Sequence, residues 1–391
     1  MPTQNNDVLQ HTSANQVVNA AGGADQFYWR PNIGSATFNG GDTREAYDPN
    51  PYMDRTGGDQ LHVVTNAAVK VTFTTTEDGT ATSGGRTLKF TGVERLHLGN
   101  GNDTIDGSRA TIEKAHDGTP VHGLTVYAGA GNDSIIGTIE NDVLDGGAGN
   151  DRIFAGAGHD FIQSSTGNDY IDGGAGNDNI RWGQGDFAEI VGNDTILGGA
   201  GDDLLNAWIK GGYENSAGVQ VNITSIDNAG SFAGNSATTI GGARSTLQYS
   251  QIEQLWTHEG RDTIDGSKAT IGSSGAGFHG NGRWGDDKIL GSNGNDTLEG
   301  GEGRDTITGG RGNDLISANG DYYNSWAPGD GDRDTLIFRT GHGQDTVLGF
   351  DGGLDVLDLG GRHYNVVENS QGTLLTAGND SILLAHVFDY I

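Results

Sequence analysis

The sequence predicts an all-β protein: a parallel β-roll with interrupting β insertions and a C-terminal capping region. Three observations predict it. First, the stretch around Gly129 to Arg181 divides into six nine-residue units, AGAGNDSII, GTIENDVLD, GGAGNDRIF, AGAGHDFIQ, SSTGNDYID and GGAGNDNIR. Second, an aliphatic residue lies two positions after each unit's aspartate, at Ile135, Leu144, Ile153, Ile162, Ile171 and Ile180. That pattern reads as one inward side chain per short strand. Third, 69 of the 391 residues are glycine and only 33% are hydrophobic. Such a chain cannot fill a broad core. A stack of repeats needs only a narrow one, because each coil contacts its neighbours alone.

Each unit has a turn half and a strand half. Glycines give the turn backbone conformations with φ > 0 and let the main chain approach a ligand closely. The aspartates Asp133, Asp142, Asp151, Asp160, Asp169 and Asp178 recur at a step of nine. Carboxylates and turn carbonyls are hard oxygen donors, a set that suits Ca²⁺ rather than zinc or copper. Gly-Asn-Asp strings are also ordinary turns, but six copies in register exceed what a turn requires. The spacing is the G-G-x-G-x-D-x-U-x nonapeptide, and on it the chain resembles the RTX (repeats-in-toxin) family. The resemblance implies two nonapeptides per coil, turns eighteen residues apart stacked on one another, and calcium between stacked turns. It puts Asp133, Asp151 and Asp169 on one edge and Asp142, Asp160 and Asp178 on the other, with about four sites in this block. It assigns Gly129, Gly131, Gly147, Gly149, Gly156, Gly158, Gly174 and Gly176 to the ligand-holding turns. Units two and five, GTIENDVLD and SSTGNDYID, lack several glycines, so weaker or empty sites are expected there.

In chain order, residues 1–98 read as a degenerate opening of the same architecture. Asp7, Asp25 and Asp59 are followed two residues on by Leu9, Phe27 and Leu61. Tyr47 to Gly58, with Pro49 and Pro51, reads as a surface loop. Val69 to Phe73 alternates as a strand, Glu77-Asp78-Gly79-Thr80 reads as a turn, and Thr87 to Phe90 as a returning strand. Residues 99–206 are the first repeat block. GNGNDTIDGS opens it and adds Asp103; an interruption containing Lys114, His116 and Pro120 precedes the six-unit array. After Asp178 a seven-residue insertion, in RWGQGDFAEIVG, delays the next unit. Asp194 and Asp203 then resume the step of nine, with Gly199 and Gly201 between them and Ile196 and Leu205 behind.

Residues 207–259 read as a β insertion, in which Val219 to Ile223 alternates as a strand. QIEQLWTHEGRDTIDGSKATI then parallels the earlier FTGVERLHLGNGNDTIDGSRATI, with Glu94 matching Glu253, Leu96 matching Leu255 and Ile105 to Ser108 matching Ile264 to Ser267. An internal duplication follows, of about residues 69–162 onto about 219–316, and it favours one elongated stack over a catalytic domain with a tail. Residues 260–320 are the second block, with Asp287, Asp296, Asp305 and Asp314 nine apart, Gly301, Gly303, Gly310 and Gly312 in the turns, and Ile289, Leu298, Ile307 and Ile316 facing inward. Stacking at eighteen implies two further calcium sites. Residues 321–391 hold looser repeats at Asp334, Asp345 and Asp355, after an aromatic loop from Gly320 to Asp332. Leu374-Leu375 and Ser381 to Phe388 are apolar strands without glycine turns, suited to covering the last open coil.

The formal net charge of −30 at pH 7 opposes compaction through self-repulsion. Bound Ca²⁺ would neutralise it, so metal binding is expected to contribute directly to folding. The acidity excludes a nucleic-acid reader, which needs a basic stripe. There is no cysteine, hence no disulfide framework and no thiol chemistry. No apolar run reaches the length of a membrane span, and MPTQNNDVLQHTSANQ has neither the basic nor the apolar region of a Sec signal. DTLIFRTGHGQDTVLGFDGGLDVLDL and the final Asp389-Tyr390-Ile391 resemble the ends of RTX proteins exported by type I secretion, which implies an extracellular destination.

Catalytic signatures are missing from the sequence. His258-Glu259 opens no HExxH, and there is no G-x-S-x-G elbow and no phosphate loop. The eleven histidines are dispersed, and His159 fills a variable position of a repeat. Of the six tryptophans, Trp182 and Trp284 sit in recurring Arg-Trp-Gly triplets, suited either to covering coils where the repeat fails or to stacking on sugar rings. The expectation is a secreted protein that needs several Ca²⁺ ions to fold. It would serve as a non-enzymatic cell-surface, matrix, adhesion or S-layer-like component that self-associates through strand edges. The alternative is a carbohydrate-binding or carbohydrate-modifying protein like the R-module of an alginate epimerase.

Overall fold

Short strands and tight turns account for the whole of what the computed structural model describes: residues 6–20, 24–40, 58–112, 123–183, 192–207, 217–240, 243–318 and 331–388. There is no helix among the described residues. The chain divides into two units, Met1–Arg181 with Val191–Gly201, and Trp182–Ile190 with Asp202–Ile391. The expected loop from Tyr47 to Gly58 (but for Gly58 itself), the interruption at Lys114 to Pro120, most of the seven-residue insertion, most of the aromatic loop and the final tripeptide lie outside the described residues.

The first unit winds into coils with two parallel faces. On one face Val8–Gln10, Gln26–Trp29, Gln60–Val63, Arg95–His97, Thr125–Tyr127, Val143–Asp145 and Phe161–Ser164 pair in succession, all parallel. On the other, Lys70–Phe73, Thr104–Asp106, Ser134–Ile136, Arg152–Ala157, Tyr170–Ala175 and Asn193–Ala200 do the same. Register is set by the inward residue: Val71, Ile105, Ile135, Ile153, Ile171 and Ile196 are successive partners. So are Val126, Leu144 and Ile162 on the opposite face. All are buried. At about 1.5–3 kcal/mol for each fully buried aliphatic side chain, one column per face stabilises a coil that has room for little else. Outside the first face, the rings of Tyr28, His62, His97 and Tyr127 stack in sequence, with centroids 4.4, 4.4 and 4.7 Å apart.

The expected hairpin over residues 69–90 is instead a three-stranded antiparallel meander, Lys70–Phe73, Gly79–Ser83 and Arg86–Thr91. The strand that returns against Lys70–Phe73 is Gly79–Ser83, not Thr87 to Phe90. Gly84-Gly85, with φ of 55° and 75°, makes the two-residue turn that the glycine pair signals. Arg86–Thr91 then runs parallel to Ala36–Asn39, so the meander lies within the sheet rather than off it.

The second unit repeats this plan. Its meander is Ala217–Ile226, Phe232–Ile240 and Ala243–Ile252, and Ala217–Ile226 pairs parallel with Arg261–Asp265. Parallel stacking continues through Lys288–Leu290, Thr306–Thr308, Thr335–Ile337 and Val356–Asp358 on one face. On the other it runs from Leu204–Ala207 to Gln344–Leu348. Asp380–Ala385 joins that last strand in parallel, and Gly372–Ala377 and Asn365–Asn369 follow antiparallel. Leu375, Ile382 and Leu384 are buried there, as a cap requires.

Candidate metal centre

The unit from Gly146 to Phe154 shows how the turn is built. Gly149 has φ of 138°, and a Cβ there would fall on the carbonyl oxygen of Gly131 one coil away. Only glycine satisfies both conditions. The amide of Ala148 donates to the Gly129 carbonyl at 2.8 Å and that of Gly149 to Thr166 at 2.7 Å. Asn150 donates its N–H to Asn132 Oδ1 at 2.8 Å. The Asp133 amide donates to Asp151 Oδ1 at 2.8 Å, and the Asp151 amide in turn to Asp169 Oδ1 at 2.8 Å. Neighbouring coils thus satisfy most donors of the turn, the Gly147 amide donating instead to Asp145 Oδ1 of its own coil at 2.9 Å, and the aspartates form a ladder.

The ladder runs where the spacing predicts and continues past the insertions. On one edge of the first unit it links Asp103, Asp133, Asp151, Asp169 and Asp194. On the other it links Asp142, Asp160 and Asp178. In the second unit Asp287 and Asp305 lie on one ladder, and Asp296 and Asp314 on another, while Asp203 donates its N–H to Glu253 Oε2 at 2.7 Å. All thirteen aspartates are 0–3% exposed. Gly129, Gly131, Gly147, Gly149, Gly156, Gly158, Gly174, Gly176, Gly199, Gly201, Gly301, Gly303, Gly310 and Gly312 all have positive φ. His159 does more than fill a variable position. Its N–H donates to Asn141, and its Nδ1 accepts the Asn177 N–H at 2.8 Å, so it stands in for an asparagine of the parallel ladder.

Several members escaped the sequence reading. Asp262 follows Gly260 with the right G-x-D-x-U spacing but lies 25 residues before Asp287, to whose Oδ1 its amide donates at 2.7 Å. Asp25 and Asp59 had the spacing without being assigned as ligands, yet Asp7 donates to Asp25 and Asp25 to Asp59. Asp334, Asp345 and Asp355, read from the sequence as looser repeats but not as ligands, extend the second unit's ladders. Glu94 accepts the amide of Asp59, as Glu253 does that of Asp203. Both glutamates stand where the chain returns from a meander.

The second carboxylate oxygen decides whether a cation fits. Among the described residues, Oδ2 of Asp25, Asp103, Asp133, Asp151, Asp287 and Asp314 is buried and accepts no hydrogen bond. A buried carboxylate oxygen without a donor is costly, and a bound cation removes that cost. Oδ2 of Asp151 rests against Gly146, where a Cβ would lie 2.6 Å from it. Burial pushes the carboxyls of Asp133 and Asp151 up to about 7 and that of Asp314 to about 8. Asp262 and Asp287 also rise, through burial and, at Asp287, through the neighbouring carboxylates Asp262 and Asp305. No three His, Asp or Glu side chains converge on one point among the described residues. A cation here would therefore take an aspartate oxygen and complete its shell with turn carbonyls, a donor set that suits Ca²⁺. Bound there, the ion would supply charge neutralisation to the stacked carboxylates. Near the C-terminal end, protein groups occupy the second carboxylate oxygen instead. His342 Nδ1 lies 2.5 Å from Asp345 Oδ2, and Arg362 donates to Asp380 Oδ2 at 2.6 Å.

The recurring Arg-Trp-Gly triplets differ in environment. Trp182 is fully buried, whereas Trp284 is 40% exposed and lines a cavity of about 270 Å³ with Arg261, Asp286, Glu302, Arg304 and Asp332. Asp286 accepts from Arg304 at 2.9 Å and from Arg261 at 3.5 Å.

The model of one protein family, the RTX calcium-binding nonapeptide repeat (4 copies), matches residues 90–110, 127–162, 158–186, 191–208 and 281–316. No curated protein matches the chain. Among solved structures the chain is similar to the extracellular lipase LipA from Serratia marcescens, with 18% identity and a TM-score of 0.22 over 75% of this chain and 44% of that one. It thus spans less than half of that lipase's length.

Proposed function

We propose that this chain, an RTX repeat protein by the match of its calcium-binding repeats, is a secreted protein that folds on calcium and serves as a non-enzymatic cell-surface or matrix component of the adhesion or S-layer kind. One observation carries the calcium dependence: buried ladder carboxylates whose second oxygens accept no hydrogen bond, at Asp25, Asp103, Asp133, Asp151, Asp287 and Asp314, in a chain of net charge −30. External calcium is plentiful and cytosolic calcium scarce, so the chain would stay loosely folded before export by a type I route and close outside. The candidate ligands are the ladder aspartates and the carbonyls of the glycine turns. A surface or matrix role is supported by Asn365–Asn369, the outer strand of the C-terminal meander. All five of its residues are exposed, Val367 at 57%, and such an edge is a template for association. Circular dichroism of chelated protein titrated with calcium tests the first part, and a gain of β signal is expected. Size exclusion with and without calcium tests the second, and a species that stays monomeric in both removes the structural role.

One observation favours a second reading, a carbohydrate-binding protein: the exposed Trp284 beside the Arg261–Asp286–Arg304 ladder. An indole edge with paired donors and acceptors suits the hydroxyls of a sugar ring. Retention on an alginate-like polysaccharide, lost in Trp284→Ala, would support it.

A further inference from the structure

Within the two nine-residue arrays, Asp142 and Asp296 differ from Asp133, Asp151 and Asp314. Four residues before Asp133, Asp151 and Asp314 stands a glycine, but before Asp142 it is Thr138 and before Asp296 it is Ser292. The Thr138 N–H donates to Asp142 Oδ2 at 2.6 Å, and its hydroxyl lies 3.1 and 3.2 Å from the two carboxylate oxygens. At Ser292 the N–H donates to Asp296 Oδ2 at 2.6 Å, with the hydroxyl 2.9 and 3.1 Å from the carboxylate oxygens. The hydroxyls are oriented from behind. Thr138 Oγ1 accepts the Glu140 amide at 3.1 Å and Ser292 Oγ the Gly294 amide at 2.9 Å, so each hydroxyl proton is free to point at the carboxylate, which at Thr138 is nearer than the Glu140 carbonyl at 3.3 Å. The coil before adds a third donor to Oδ1, the amide of Leu124 at Asp142 and that of Phe278, at 2.8 Å, at Asp296. All four side chains are buried. The arrangement is the same in the two copies of the duplicated segment.

We infer that Thr138 and Ser292 close these two turns to calcium, a donated amide and hydroxyl doing at Asp142 and Asp296 what a cation would do at Asp133, Asp151 and Asp314. At Asp151 and Asp314 only Oδ1 is engaged, by the preceding coil's amide, and Oδ2 accepts nothing. A cation entering beside Asp142 would displace the hydroxyl and strand buried N–H groups, a loss without compensation. A hydroxyl at this position is not enough alone. Ser165, four before Asp169, turns its N–H to the Gly147 carbonyl at 3.2 Å. Each repeat array therefore contains at least one coil edge held by the protein itself, and the number of ions falls short of the number of ladder aspartates.

The inference rests on the calcium reading above, and the test separates the two. Crystals of the full chain grown in calcium are compared by anomalous scattering. Ions are expected in contact with the Asp151 and Asp314 carboxylates and none with Asp142 or Asp296. An ion on Asp142 or Asp296 overturns the inference, while ions absent from Asp151 and Asp314 as well overturn the calcium reading itself. In solution, calcium bound per chain is counted by equilibrium dialysis. Thr138→Gly with Ser292→Gly is expected to bind more calcium than the parent, and Thr138→Ser the same amount. No gain in the double variant refutes the closing role of the hydroxyls.

Discussion

Asp151 meets its neighbours through one oxygen while the other accepts no hydrogen bond, and the glycines around it are what allow the coils to come that close. The two kinds of glycine in this chain can be separated by substitution. Gly84 has φ of 55° and open space where a Cβ would stand, whereas Gly149 has φ of 138° and the Gly131 carbonyl in that space. Gly84→Ala should cost about 1–2 kcal/mol from left-handed strain alone. Gly149→Ala should cost clearly more, because the coils must also separate. Thermal unfolding of both variants in excess calcium measures the difference, and equal midpoints would contradict the stacked-turn geometry. At this scale the sequence was legible inside the nine-residue arrays, where the partner lies eighteen residues away. Asp262 and Glu253 were not, since their ladder partners lie 25 and 50 residues away. Those distances depend on which segments stack once insertions are looped out, and no local spacing encodes that.

The strand x-U-x was legible because a single inward aliphatic fixes its register. The meanders were harder. Gly79–Ser83 carries small residues and threonines that satisfy both turn and strand preferences, and only pairing against Lys70–Phe73 and Arg86–Thr91 decides between them. The C-terminal cap was visible in its composition, as apolar strands lacking the glycine turns, and its packing makes a prediction. Ile382 is fully buried and pairs with Asp345 on the last parallel strand. Ile382→Ala should cost about 2–4 kcal/mol and expose the end of the stack. A lower denaturation midpoint with calcium-dependent aggregation is expected, and an unchanged midpoint would mean that the cap does not hold the final coil.

Across the molecule, the buried carboxylates couple folding to both protons and calcium, and the sign of each effect follows from the burial. Without metal, burial holds Asp103 and Asp178 at about 6, Asp133 and Asp151 at about 7 and Asp314 at about 8, against about 3.9 in an unfolded chain. Between those values the folded state carries more protons than the unfolded one. The stability of the metal-free fold therefore falls as pH rises from about 4 to about 8 and flattens beyond. Self-repulsion at a net charge of −30 acts in the same direction. Calcium needs the deprotonated carboxylate, so its contribution grows over the same window. With chelator, melting followed by circular dichroism should give a higher midpoint at pH 5 than at pH 8. With excess calcium the order should reverse. Asp133→Asn with Asp151→Asn removes two of the titrating groups and should flatten the chelated profile. If the chelated midpoint instead rises with pH, the ladder carboxylates are already compensated by the protein, and calcium is not what this chain needs to fold.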